Sequence, residues 1–313
     1  MDITPRHIEQ IEALHRYGSF CRAAEKLCIS QPALSRSILV LEEKLGIKFF
    51  DRTRGKLVLT QYGRIVLSRG SGILKEMQLL HRDINMLQGG EQGVLNIGCG
   101  PIPAETLAGD AIARFNKQYP HMTVKLTIDY VLQLKKLLHN RCIDFFVAEA
   151  YRLDNKQEYE VISMPQQQGY FCCRRNHPLA ARSFITFNDI LEYPMALMWL
   201  SDRIFTLFSK LSGLDIQQTE DLRAGFIECN NANILLNTVI HSDAITATSK
   251  EILAESVYRD HIFLLPLVIP EFRSDYAIVS LKAFSTIPAI TYLKKLFLET
   301  AVRKVQSGGS AGA

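Results

Sequence analysis

Ser30-Gln31-Pro32-Ala33-Leu34-Ser35-Arg36 is the stretch that decides the fold, and it is read together with Ser19-Phe20-Cys21-Arg22-Ala23-Ala24-Glu25-Lys26-Leu27 just before it. Ser30 has the small side-chain oxygen that caps a helix, and Pro32 falls in the first turn, where a missing N–H costs nothing. Apolar residues at Leu34, Ile38, Leu41 and Leu45 then recur at helical spacing. Upstream, Ile8, Ile11 and Leu14 mark one helix and Ala23, Ala24 and Leu27 a second; Gly18-Ser19 divides them, with Ser19 as its N-cap. Three short helices around one small core are expected. After Leu45-Gly46 the period changes, and Phe49-Phe50-Asp51-Arg52, the turn Thr53-Arg54-Gly55 and Lys56-Leu57-Val58-Leu59-Thr60 form a small hairpin. Helices followed by such a wing make a winged helix-turn-helix, assigned to residues 1–60.

From about Gln61 to Gln88 the sequence is helical again. Its apolar positions Val66, Ile73, Met77, Leu80, Ile84 and Leu87 step by sevens, fours and threes, a seam that pairs helices. Residues 61–89 are therefore assigned to a dimerising linker; the alternative is a helix packed on its own domain. Gly70 and Gly72 weaken its middle by roughly 1 kcal/mol each relative to alanine, so a bend is expected there. Gly89-Gly90-Glu91-Gln92-Gly93 ends the run.

Beyond it, strand and helix signals alternate: Val94–Ile97, Glu105–Tyr119, Met122–Ile128, Leu132–Asn140, Ile143–Ala148, and onward through Gly169–Arg174, Ile204–Leu211, Leu222–Cys229, Ile234–Ile240, Ala244–Thr248, Ala277–Leu281 and Ile290–Lys304. This rhythm predicts parallel sheet layers, and about 200 residues is long enough for two α/β lobes with a cleft between them. Ser307–Ala313 reads as a flexible tail.

The net charge of +4 over 313 residues proves no polyanionic partner, so distribution decides. Between Glu25 and Glu42 there is no acid, while Lys26 and Arg36 lie inside. Between Asp51 and Glu76 there is again none, while Arg52, Arg54, Lys56, Arg64, Arg69 and Lys75 do. Gln31 at the start of the third helix suits an adenine edge in the major groove, with Ser35 and Arg36 one turn on reaching a base or a phosphate. Ser30 and Pro32 complete that surface. Arg52, Arg54 and Lys56 on the wing suit the DNA backbone or minor groove.

Seven cysteines show no zinc spacing, and Cys172-Cys173 is vicinal, so reduced thiols in the cytoplasm are expected. The N-terminus carries no signal-peptide pattern, no apolar run spans a membrane, and the eight histidines have no metal-ligand spacing. No cofactor is implied, and no catalytic motif such as G-x-S-x-G or a P-loop marks an enzyme.

The two segments quoted first, with Leu41-Glu42-Glu43-Lys44-Leu45-Gly46, Phe50-Asp51-Arg52 and Leu59-Thr60-Gln61-Tyr62-Gly63, resemble the DNA-binding signature of LysR-type transcriptional regulators. Phe115-Asn116-Lys117-Gln118-Tyr119-Pro120, Ile143-Asp144-Phe145 and Asn176-His177-Pro178-Leu179-Ala180 resemble that family's sensor domain, so nearly the whole chain is covered. The resemblance implies a sensor over residues 90–306 made of two Rossmann-like lobes, similar to periplasmic binding proteins. Lobe 1 would take 92–163 and 267–305 and lobe 2 164–266, with crossings at Val161–Pro165 and Leu265–Pro270. It also implies a small-molecule effector between the lobes, touching Gly100, Pro101, Ile102, Tyr130, Val131, Ser201, Arg203, Thr246 and Thr248. The implied partners are double-stranded promoter DNA carrying an inverted repeat, further copies of the chain as dimer or tetramer, and RNA polymerase.

Pro101, Ile102 and Val131 stand where the family commonly has serine or threonine, and Ile240-His241-Ser242-Asp243-Ala244 where it has a glycine-rich turn, which favours an aromatic or amphipathic effector over a simple carboxylate. Three alternatives stay open: a thiol switch at Cys99 or Cys172-Cys173, a cleft closed by apolar side chains with no ligand, and an enzyme or solute-binding module fused to a DNA anchor. Trp199 suits either a pocket or a core.

Overall fold

The computed structural model describes residues 3–53, 56–88, 92–149, 157–198, 202–215, 218 and 225–310. Two compact units result, Met1–Gln88 and Gly89–Ala313. In the first, α1 (Pro5–Tyr17) starts at Thr4, whose hydroxyl accepts from the His7 amide while the Thr4 amide donates to the His7 ring. Next comes α2 (Phe20–Lys26). Ser19 occupies its N-cap position but its side chain makes no capping bond; the short helix is held by burial of Ala23 and Ala24. Ser30 does cap α3 (Gln31–Leu45), its Oγ accepting from the Ala33 amide at 3.4 Å. Leu34, Ile38 and Leu41 then point inward, onto Ile11, Leu14, Ala23, Ala24, Phe49 and Phe50. Truncating one such leucine to alanine removes roughly 2–5 kcal/mol.

The wing is β1 (Phe50–Thr53) paired antiparallel with β2 (Lys56–Leu59), Phe50 opposite Leu59 and Arg52 opposite Leu57. Leu57 and Leu59 pack on the helical core and anchor it. Thr60 then caps α4 (Gln61–Leu87) through the Gly63 amide. This helix is unbroken for 27 residues, so the glycines do not interrupt it. Gly70 has a packing role instead: a Cβ there would lie 2.4 Å from Cγ2 of Ile8 on α1, so only glycine lets α1 and α4 approach this closely.

In the second unit, a five-stranded sheet has the order β4-β3-β5-β13-β6, formed by β3 (Gly93–Cys99), β4 (Met122–Ile128), β5 (Phe145–Glu149), β6 (Tyr159–Ser163) and β13 (Tyr276–Leu281). β3 pairs parallel with β4 and β5, as the alternation predicts, whereas β13 runs antiparallel to β5 and β6. After β3 come a short helix α5 (Pro101–Pro103), a π-helical turn Ala104–Ala108 and α6 (Gly109–Gln118), and after β4 comes α7 (Val131–His139).

The second lobe departs from the parallel expectation. Its central strand β7 (Gln167–Arg174) pairs antiparallel with β10 (Thr246–Ser249), β11 (Ile262–Leu264) and β12 (Arg273–Ser274). β7 enters from the first lobe and so runs against the strands laid beside it; a strand-helix alternation alone does not fix direction. β8 (Ala196–Leu197) and β9 (Ile227–Glu228) form a parallel pair beside α8 (Phe187–Leu191), α9 (Asp202–Ser212), α10 (Ala232–Ile240) and α11 (Lys250–Glu255). Phe171, Phe187, Phe208 and Phe272 cluster in its core, Phe171 stacked on Phe272 with centroids 5.0 Å apart.

The chain crosses between lobes at Met164–Gln166 and returns at Arg273–Tyr276, later than the expected Leu265–Pro270. Leu265 still bonds to the Phe171 carbonyl and the Gly169 amide to that of Phe272, which keeps the intervening segment on β7. The last helix, α12 (Pro288–Ser310), runs six residues past the expected Lys304 and through the start of the stretch read as a tail.

Candidate functional site

The first candidate site is the outer face of α3. With Leu34, Ile38 and Leu41 buried, helical geometry leaves Gln31, Pro32 and Arg36 exposed and Ser35 half-buried on one continuous surface. Ser30 is exposed at its start, with its hydroxyl already spent on the cap, so it positions the helix. Leu39 and Val40 extend this surface, each about half exposed, and were missed because two apolar residues off the core stripe read as noise in sequence. On a helix in the major groove such side chains meet thymine methyls. Arg52 and Lys56 lie on the paired strands of the wing; Arg54 falls outside the described residues. Arg64 donates to the Leu59 carbonyl at 2.9 Å, tying α4 to the base of the wing.

The second candidate site lies between the lobes of the C-terminal unit. Gly100 is the N-cap residue of α5, its amide bonded to the Val147 carbonyl at 2.8 Å; Pro101 is buried, and Ile102 reaches across to pack on the second lobe's cluster of Cys172, Ala196, Leu235 and Ile252. Tyr130 stands at the N-cap position of α7, its amide bonded to Asp129, and Val131 packs into the first lobe's core rather than lining the cleft alone. Thr246 and Thr248 are buried on β10. Thr248 donates to the Ser249 carbonyl at 3.4 Å, whereas among the described residues the buried Thr246 hydroxyl finds no hydrogen-bond partner, nor does Oε1 of Gln167 on β7. Ser201 and Trp199 lie outside the described residues.

Arg203, expected to face an effector, is engaged between the lobes. Its guanidinium pairs with Glu149 at the end of β5 at 3.0 Å and donates to the carbonyls of Glu271 and Arg273. A second link crosses nearby, where Glu105 of the π-helical turn accepts from the Ala232 amide at the start of α10, 3.1 Å away. Burial raises both carboxyls above their ordinary range. Neither glutamate is legible in sequence, because the partners lie 127 and 54 residues away. The same burial pushes the Cys99 and Cys173 thiols up to about 12, and Cys172 higher still. Among the described residues no cluster of histidine, cysteine or carboxylate side chains could hold a metal, and no helix is long and apolar enough to cross a membrane.

Comparison with known proteins agrees with this division. Residues 5–64 match the family of bacterial regulatory helix-turn-helix proteins of the lysR type, and residues 88–301 match the LysR substrate binding domain. The chain is 31% identical over 302 residues to the SDS degradation transcriptional activation protein of Pseudomonas sp. (strain ATCC 19151), covering 95% of this chain and 96% of that one. Among solved structures, full-length CbnR complexed with its target DNA shares the fold with a TM-score of 0.58 at 17% identity, covering 96% of this chain and 100% of that one. HinK, a LysR family transcriptional regulator from Pseudomonas aeruginosa, does so at 0.54 and 20% identity over 96% and 99% of the two chains. The chain therefore belongs to the LysR family of transcriptional regulators, with a DNA-binding helix-turn-helix domain joined to an effector-binding domain.

Proposed function

We propose that the chain reads an inverted repeat in double-stranded DNA as a homo-oligomer in the cytoplasm, and that it acts on transcription through RNA polymerase rather than as an enzyme. Gln31, Pro32, Ser35 and Arg36 enter the major groove, while Arg52, Arg54 and Lys56 hold the backbone or minor groove. The observation that carries this is the capped α3, whose outer face is polar and cationic in an acid-free window. On duplexes selected from random sequence by the wild-type chain, Gln31→Ala and Arg36→Ala each lose about 1–3 kcal/mol of discrimination against mismatched sites. Footprints and affinities identical to wild type in both variants would remove α3 from the reading head.

A small effector between the lobes switches the regulator, and it is amphipathic. The buried, unpartnered hydroxyl of Thr246 is a polar group that costs about 1–3 kcal/mol to leave unmade, while Pro101 and Ile102 offer apolar walls. A full-length relative is named for the degradation of an alkyl sulfate, a molecule with one polar head and one apolar tail. Medium-chain alkyl sulfates and alcohols below their micellar range should raise the melting temperature of the wild-type chain and do so less for Thr246→Val. The packing of Ile102 onto the second lobe favours a second reading, a cleft closed without ligand, which predicts no shift with any of them. A thiol switch is disfavoured, since burial keeps Cys99, Cys172 and Cys173 protonated at neutral pH.

A further inference from the structure

The first half of α3 supplies the residues already assigned to the major groove, but the cationic surface does not stop there. Arg36, Ser37 and Lys44 on α3 face Arg6, His7 and Gln10 on the first turns of α1 across an open groove of about 550 Å³. Arg6 and Arg36 bring basic side chains to it from the two helices, and none of the described lining residues is an acid. The described lining therefore carries one sign of charge, which focuses the field on an anion.

Ile29, Ala33, Val40 and Leu41 also line the groove, and one polar side chain is built into its wall. Gln10 is only 3% exposed, a rare placement for glutamine, and the Ser37 hydroxyl donates to its Oε1 at 2.7 Å. That bond fixes the amide with its NH₂ as the remaining donor in the groove wall. A buried donor is held between exposed cations, and its orientation is set by the opposite helix.

We propose that the α1–α3 groove seats the phosphate backbone of DNA beside the major-groove site, with Arg6 and the Gln10 amide as contacts outside the helix-turn-helix proper. This rests on α3 being the helix that enters the major groove. Contacts of this kind fix register and orientation and carry no sequence information. They would let the regulator hold DNA of any sequence along α1 while α3 samples base edges.

The test is the salt dependence of binding to a random-sequence duplex, read by fluorescence anisotropy with the full chain between about 50 and 200 mM salt. Arg6→Gln should lower the slope of log K against log salt by about 0.9, the amount lost with one phosphate contact. Gln10→Leu keeps the buried volume and should weaken binding at every salt with the slope unchanged, because it removes a neutral donor. Arg16→Gln, at the other end of α1 and outside the groove, is the charge-matched control and should leave the slope as it is. If Arg6→Gln behaves like Arg16→Gln while Arg36→Ala still loses discrimination on the selected duplexes, the groove is not a backbone site and the recognition helix stands. If Arg36→Ala also keeps its discrimination, the reading of α3 fails as well. Inorganic phosphate supplies the last arm. Stabilisation of the wild type but not of Arg6→Gln at constant ionic strength, without any slope change on DNA, would make the groove a free-anion site and overturn the proposal.

Discussion

Two residues in the second lobe carry their environment in their chemistry. His177 is buried; its Nδ1 accepts from the Leu179 amide at 3.1 Å and its Nε2 lies 3.2 Å from the Asp243 carbonyl, which fixes the neutral ring as the Nε2–H tautomer. Burial, with help from Arg174, lowers its pKa below 6.5. The unfolded chain therefore takes up a proton at higher pH than the folded one. Stability from this group is complete above about 6.5 and is lost as pH falls from there toward the lowered folded value. The melting temperature should drop on acidification through that window, and His177→Gln should flatten the drop. Thr246→Val tests the other special position. If the hydroxyl is unpaired in the unliganded chain, removing it at equal volume raises stability by up to about 1–3 kcal/mol in urea unfolding. A loss instead would mean that the oxygen has a partner in solution.

The element that links residue chemistry to assembly is α4. Ile73, Met77, Leu80, Ile84 and Leu87 are all exposed by 38–58%, at the heptad spacing read from sequence. Val66, counted as the seam's first position, instead packs into the core of its own unit. Apolar side chains at that spacing on a helix this long would leave water if a second α4 paired with them, and we propose that pairing. Leu80→Glu should shift the full chain toward monomer in analytical ultracentrifugation without lowering its helix content; unchanged mass would exclude this seam. Gly70 could not have been read correctly from sequence. Propensity argues for a bend, yet the residue is glycine because Ile8 occupies the space a Cβ would need, and Ile8 lies 62 positions earlier.

At the scale of the C-terminal unit, two polar links among the described residues join the lobes, Arg203 to Glu149 and Glu105 to the Ala232 amide. Arg203→Ala leaves a desolvated carboxylate and two carbonyls without their donor. The side chains of the pair are 17% and 26% exposed, so the cost should be roughly 1–3 kcal/mol, below the 3–5 of a fully buried pair. Urea unfolding of the full chain measures it, and amide exchange should quicken around β5 and α9 first. An unchanged midpoint would show that the link contributes only geometry.

Much of this molecule follows from local pattern. The cap at Ser30, the inward stripe Leu34-Ile38-Leu41, the wing and the α4 seam each depend on residues within a turn or two of one another, so the reading head and the family were legible in sequence. The parallel core β4-β3-β5 was legible for the same reason, since each crossover helix follows its strand directly. What only the tertiary structure decided depends on distant partners. The antiparallel pairing around β7, the burial of Thr246 and Gln167, the interlobe ties of Arg203 and Glu105, and the α1–α3 groove built on Gln10 and Ser37 all join residues that the sequence separates by 27 positions or more. Local propensity states which element a residue belongs to. Its partner across the fold is chosen by packing and by the cost of leaving a buried polar group unpaired, and neither is written in the spacing.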